Sequence, residues 1–269
     1  MLGAMRIRSG DAEIFYDVQG SGPPLVLLHA FPTNHELWHP AAQLLAAHYR
    51  VVAPDLRGHG ASETGEGPAT MDKHAADLAR VCEDAGIGRA VFAGASIGGY
   101  VLFEFWRRFR QRVAGLILCD TRAQADSEEG RAGRLRSAED VEQRGPEPFL
   151  DSMVPKLLGQ TTQRNRPDLV AAVRQMMSKM TAAGIAAVQR GMAQRPDSVS
   201  TLKTIDVPTL LLVGDEDTLT PITDAELMRS NIAGSRMAVI PRAGHLAAFE
   251  QHEEVARTMR RFLEGFVWE

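Results

Sequence analysis

Residues 90–109 read A-V-F-A-G-A-S-I-G-G-Y-V-L-F-E-F-W-R-R-F. The stretch opens as a short apolar run, passes through Gly94, Ser96, Gly98 and Gly99, and continues as an apolar segment with helical character. It therefore predicts a strand, a tight turn carrying a serine, and a helix. A serine hydroxyl is a weak nucleophile at neutral pH and needs a base beside it. A sharp strand-to-helix turn lifts the hydroxyl above the sheet, and small residues on either side let neighbouring backbone pass close by. The helix after the turn points its N–H groups and positive dipole end toward any oxyanion formed there, with Ile97 N–H as one donor. G-x-S-x-G alone is a short pattern, so its reading depends on the flanking strand and helix that this chain supplies.

Outward from this turn, short apolar runs recur between Gly, Pro and Asp: Ile14–Tyr16, Leu25–Leu28, Val51–Ala53, Leu116–Leu118, Leu210–Val213 and Met237–Ile240. Runs without strict alternation suit strands buried on both faces. Helical stripes lie between several of them, such as Met71, Ala75, Leu78, Cys82 and Ala85, or Val255, Met259, Phe262 and Leu263. Strands alternating with helices imply an α/β fold, a mostly parallel central sheet with helices on both faces. The first two runs stand too close for a helical crossover, which predicts an antiparallel start. The interval from Asp120 to Val207 has no convincing strand and is far longer than an ordinary connection. Pro167 suits a helix start. Leu169, Val170, Val173, Met176, Met177 and Met180 form one apolar stripe, and Ile185, Val188 and Met192 a second. The expected organisation is a core of residues 1–121 and 200–269, interrupted by an inserted helical cap over 122–199.

Composition narrows the classes of function. The 269 residues are 44% hydrophobic and 24% charged, with a net charge of −4. No block of Lys and Arg marks nucleic acid or an anionic membrane as a partner. No run reaches the ~18 apolar residues of a membrane span, and the first residues lack a signal-peptide core, so a cytoplasmic protein is expected. Cys82 and Cys119 lack C-x-x-C spacing and read as buried, reduced thiols. No motif sets an oligomeric state.

Further segments converge on the serine. P-L-V-L-L-H ends in His29-Ala30-Phe31-Pro32. A-P-D-L-R-G-H-G-A-S runs from Ala53 to Ser62. L-L-L-V-G-D-E-D-T-L-T-P places Asp215 and Asp217 just after a strand, and A-V-I-P-R-A-G-H places His245 in a loop after the last one. In this order the motifs resemble the α/β-hydrolase superfamily over nearly the whole chain. The set looks most like the small esterase, enol-lactonase and cofactor-free haloperoxidase (perhydrolase) branch. The resemblance implies Ser96 as nucleophile, Asp217 as acid and His245 as base, in that family's chain order. It implies an oxyanion hole from the N–H groups of Phe31 and Ile97. Asp120 is the alternative acid, because some members place it at the end of that strand. Asp215 reads as a turn residue, His29 as a brace for the oxyanion loop, and Asp55 with Arg57 as a loop-bracing pair. Trp38, Arg122, Met176 and Met180 are candidates for the substrate pocket, with packing the favoured reading for Trp38, core for most of the methionine stripe, and solvation for Arg122. Two positions depart from the commonest pattern: Ala30 replaces a frequent glycine, and Ala95 leaves room beside Ser96.

The implied activity is hydrolysis of small to medium carboxylic esters through an acyl-enzyme, with no metal or organic cofactor. Alternatives on the same site are an enol-lactonase, which requires a cation near the acyl pocket with Arg122 as candidate, and a perhydrolase, suggested by Pro32 after the oxyanion residue. Haloalkane dehalogenase and epoxide hydrolase chemistry would need a carboxylate where Ser96 stands. A non-catalytic ligand-binding protein on this fold is the alternative of another class.

Overall fold

A computed structural model of the chain describes residues 3–266. Among these, eight strands form one sheet: β1 (Met5–Ser9), β2 (Ala12–Gln19), β3 (Pro24–Leu28), β4 (Arg50–Pro54), β5 (Ala90–Ala95), β6 (Val113–Cys119), β7 (Thr209–Gly214) and β8 (Arg236–Ile240). Their spatial order is β1-β2-β4-β3-β5-β6-β7-β8. Pairings from β4 to β8 are parallel, whereas β1 and β4 both pair antiparallel with β2. Every residue of β5 and β7 is buried, which accounts for their unbroken apolar character.

The antiparallel start is present but arranged differently from the simplest expectation. The strand of Ile14–Tyr16 does not pair with its successor β3; it pairs with β4 and with β1. β1 was not apparent from apolar runs because it is an edge strand. Arg6 and Arg8 alternate with Ile7 and form ion pairs with Glu13 and Glu63 on the exposed side.

The helices match the periodicity where it was clear. Helix α1 spans His39–Leu45. Helix α2 (Met71–Asp84) is capped by the Thr70 hydroxyl and buries Met71, Ala75, Leu78 and Cys82. Helix α3 (Ile97–Phe109) comes directly after β5. Between β6 and β7 lie α4 (Glu128–Arg144), α5 (Glu147–Leu157), α6 (Gln160–Asn165), α7 (Pro167–Met177), α8 (Ala182–Ala193) and the single turn α9 (Val199–Leu202). Pro167 opens α7 as its position suggested. After β7 come α10 (Ile222–Asn231), α11 (Ala247–Glu250) and α12 (His252–Leu263), which buries Val255, Met259, Phe262 and Leu263 and packs on α1. Both cysteines are free and buried. Among the described residues, no helix is long and apolar enough to cross a membrane.

The parallel run positions the functional segments. β3, β5, β6, β7 and β8 point the same way, so their carboxyl ends share one edge of the sheet. The segments holding Phe31, Ser96, Asp120, Asp217 and His245 all leave from that edge, where open α/β sheets place their ligands.

Candidate active site

Ser96 sits between β5 and α3 with φ 52° and ψ −111°, a left-handed backbone that non-glycine residues rarely adopt. Neighbouring glycines make the turn feasible. A Cβ on Gly94 would lie 2.5 Å from the carbonyl carbon of Gly98, and one on Gly98 would lie 2.7 Å from the Leu28 carbonyl oxygen. The start of α3 is thus pressed against both β5 and β3, and only hydrogen fits in the gaps.

Ser96 Oγ and His245 Nε2 are 2.8 Å apart, and His245 Nδ1 is 2.8 Å from Asp217 Oδ2. All three residues are nearly inaccessible to solvent, with Ser96 the most exposed at 8%. Burial by itself would raise the Asp217 pKa. The charge and hydrogen bond of His245, joined by hydrogen bonds from Thr220, outweigh that effect and hold it below the ordinary carboxylate value. Thr220 Oγ1 donates to Asp217 Oδ2 at 2.5 Å, and the Leu219 and Thr220 N–H groups donate to Oδ1. The sequence reading assigned Thr220 no role. The signal was available, because an Asp whose side chain meets backbone donors two and three residues later is an Asx-type turn.

Asp120, the alternative acid, does other work. Its Oδ1 accepts from Gly214 N–H at 2.9 Å and its Oδ2 from Ala247 N–H at 3.1 Å, so it ties the ends of β6 and β7 to α11. Burial, with the nearby charge of Asp217, pushes its carboxyl well above the ordinary value. Asp215 accepts from Ala243 N–H and holds the turn after β7.

Phe31 lines the cleft with Ser96 and His245. Ile97 is the first residue of α3, a position whose N–H has no intrahelical acceptor. The loop that carries Phe31 is braced from below. The wholly buried His29 faces the Ala30 carbonyl through Nδ1 at 2.9 Å and accepts from Leu56 N–H through Nε2 at 2.9 Å. Burial lowers its pKa to about 4, so it is the neutral tautomer with Nδ1 as donor. Asp55 and Arg57 are braces but not a pair. Asp55 holds His35 through Nδ1 at 2.7 Å and through its backbone N–H, whereas Arg57 grips Asp77 and Asp11.

Around the pocket, Trp38 and the two methionines follow the packing reading. The cleft over Ser96 encloses about 230 Å³. Trp38 is not part of its lining. The indole is wholly buried and donates to the Leu28 carbonyl at 2.9 Å, which makes it a packing residue. Met176 of α7 and Met180, which follows that helix, are buried elsewhere and do not line the cleft; α7 packs against α5 and α6. Met153 of α5 and Met192 of α8 take that place. Arg122 does line the cleft, but it is engaged: Nη2 donates to the Leu219 carbonyl and Nε lies 3.5 Å from Asp224. The insertion also contributes Arg134, Lys156 and Gln189, and α3 contributes Tyr100; none of these was singled out from sequence. Among the described residues, no group of three or more His, Cys, Asp or Glu side chains is placed to hold a metal ion.

Comparison with known proteins bears on the family. A family model described as alpha/beta hydrolase fold matches residues 23–251. A 3-oxoadipate enol-lactonase from Acinetobacter baylyi is 29% identical over 91% of this chain and 90% of its own length. A non-heme haloperoxidase from Rhodococcus erythropolis is 31% identical over 96% and 98%. Among solved structures, a thermophilic esterase from Thermogutta terrifontis with malate bound superposes with a TM-score of 0.94 at 41% identity, covering 97% of this chain and 98% of that one.

Proposed function

The chain belongs to the alpha/beta hydrolase fold family, and on that premise we propose that it hydrolyses carboxylic esters through Ser96, His245 and Asp217. One observation carries the reading: a serine at positive φ whose Oγ is 2.8 Å from an imidazole that is itself 2.8 Å from a buried carboxylate. His245 Nε2 takes the Oγ proton as the oxygen attacks the ester carbonyl. Asp217 keeps Nδ1 protonated and stabilises the imidazolium that forms. The carbonyl oxygen becomes an oxyanion facing the N–H groups of Ile97 and Phe31. Collapse expels the alcohol, which receives the proton from His245 and leaves Ser96 acylated. Water, deprotonated by the same imidazole, then releases the acid and restores the serine.

Lactones fall within the same chemistry, since ring opening differs only in keeping the leaving alcohol attached. The likeness to an enol-lactonase over nine-tenths of both chains supports including them. The test is titration with an organophosphonate, which should label one serine per chain. Labelling and p-nitrophenyl ester hydrolysis should both vanish in Ser96→Ala. A wild-type protein inert to the phosphonate would point instead to a non-catalytic ligand-binding role.

A further inference from the structure

The cleft above Ser96 has two unlike walls. On the sheet side Phe31 and Leu219 flank Ser96, Thr220 and His245, while the insertion brings Arg134 and Lys156, with Arg122 at its root. A concentration of cations here is not a reflection of composition, because the chain as a whole carries −4.

Both guanidiniums already have partners. Arg122 donates through Nη2 to the Leu219 carbonyl and lies 3.5 Å from Asp224 through Nε, which completes no hydrogen bond. Arg134 donates to Asp126 at 2.5 Å and to Gln189 at 3.1 Å. Asp126 also serves Arg195, at 3.1 Å, so one carboxylate answers two guanidiniums and the wall keeps an excess of positive charge. Lys156 differs from all of these. Among the described residues its ammonium pairs with no carboxylate and donates no hydrogen bond, although its side chain lines the cleft.

The backbone that carries Lys156 is fixed relative to His245. Three residues on, Gly159 lies back to back with Gly244, the residue before His245: a Cβ on Gly244 would fall 2.2 Å from Gly159 N. The buried carboxylate of Glu250 clamps the two, accepting from Gly159 N–H at 2.9 Å and Gly244 N–H at 2.8 Å. Glu216 adds a bond from Thr161 N–H at 2.8 Å. Insertion and histidine loop are thus joined at one seam, and Lys156 projects from beside it. Lys156 is exposed to solvent where it borders the cleft, so its ammonium, without an internal partner, is free to meet an anion.

We propose that Lys156 is a specificity-determining residue that binds a carboxylate on the substrate. The preferred substrates are then esters or lactones whose acyl part carries a free carboxylate, with the intervening carbons against Phe31, Met153 and Met192. The proposal rests on the hydrolase reading above and moves the recognition role from Arg122, which is already engaged, to Lys156.

The experiment compares kcat/KM for two esters of the same phenol, p-nitrophenyl butyrate and the anionic mono-p-nitrophenyl glutarate. In Lys156→Met the ratio of anionic to neutral kcat/KM should fall about tenfold, the typical worth of one partly solvated charge-assisted contact, and mainly through KM. Lys156→Glu should lower it further, and Lys156→Arg should keep it within about threefold of wild type. Raising salt to about 0.5 M should shrink the wild-type preference, because the pair is open to screening. A ratio untouched by Lys156→Met, or one that falls instead in Arg122→Met or Arg134→Met, overturns the assignment while the neutral ester continues to report the hydrolase activity. Failure of the wild type to turn over either ester overturns the hydrolase reading and this proposal with it.

Discussion

The carboxyl edge of the sheet and the helical insertion face each other across the cleft, and they are built by different means. On the sheet side each functional group is placed by backbone. Ser96 is held by a turn in which Gly94 and Gly98 are steric necessities, Asp217 by three donors from its own turn, and the His245 loop by Glu250 and Asp120 through Gly244 and Ala247. On the insertion side the lining residues come from three helices, α4, α5 and α8, that meet through side chains, with α8 packed along α4. On the proposed reading, the first wall sets the chemistry and the second sets what enters. If that division is right, substitutions on the sheet edge should change rate by orders of magnitude, and those on the insertion should change selectivity by about one.

The largest effect expected is for Ser96→Ala. Removing the nucleophile of a triad costs ~10⁶-fold in kcat in the best-measured case, so ester turnover should drop to the background of the assay. Next is the contrast between two buried carboxylates one strand apart. Asp217→Asn should lower kcat by about 10⁴-fold with little change in KM, because the amide presents the wrong partner to His245 Nδ1. Asp120→Asn keeps an acceptor for one backbone N–H and turns a donor toward the other, so its loss should appear first as a lower melting temperature. Kinetics and thermal melts on both variants would decide this, and equal kinetic damage would erase the distinction between them.

Gly98→Ala should show a smaller, mixed effect. A methyl 2.7 Å from the Leu28 carbonyl oxygen must push the start of α3 off β3, and the oxyanion donor at Ile97 moves with it. Loss of one such donor costs about 10²–10³-fold in kcat, and overpacking typically costs about 1–3 kcal/mol of stability. Near wild-type kcat in a folded Gly98→Ala protein would mean that the glycine is not what places the donor.

The same contrast explains how much of the molecule was legible in its sequence. Ser96 could be singled out because a strained turn leaves glycines around it, whereas Asp217 and His245 were reached through the family resemblance that the ordered motifs carry. The strands could be read because burial on both faces removes alternation, and β1 was missed because its exposed edge alternates charge with a single Ile7. The pocket was read poorly for a physical reason. Periodicity tells that Met176 and Met192 are both on apolar stripes, but not which stripe meets the serine and which meets another helix. That choice depends on how α5, α7 and α8 stack, a set of long-range contacts with no local trace. The place of Lys156 left no trace for the same reason, since the sequence does not tell which exposed lysine borders the cleft.

Acid sensitivity gives the subtlest test of the two-wall division. Every one of the 8 histidines lies outside residues 122–199, so histidine titration acts on the sheet side alone. Three are wholly buried beneath the loop that carries Phe31: the His29 and His59 rings lie 4.8 Å apart, His59 and His74 6.5 Å apart, and His59 meets Phe31 edge-on. Burial lowers all three pKa values, to about 4 for His29, about 3 for His74 and well below the ordinary value for His59. Between pH 6.5 and those values the unfolded chain binds the protons and the folded chain does not. Folding stability from these groups is therefore complete above about pH 6.5 and is lost as pH falls. His74 separates this effect from damage to the site, because it sits by the Ala69 carbonyl without completing a hydrogen bond and contacts no cleft residue by its ring. In His74→Leu, the stability difference from wild type measured by urea unfolding should shift in the variant's favour by about 1.4 kcal/mol per pH unit from pH 6 to 4.5. A difference independent of pH would mean that His74 is not held neutral in the folded chain, and that the acid response lies elsewhere than under Phe31.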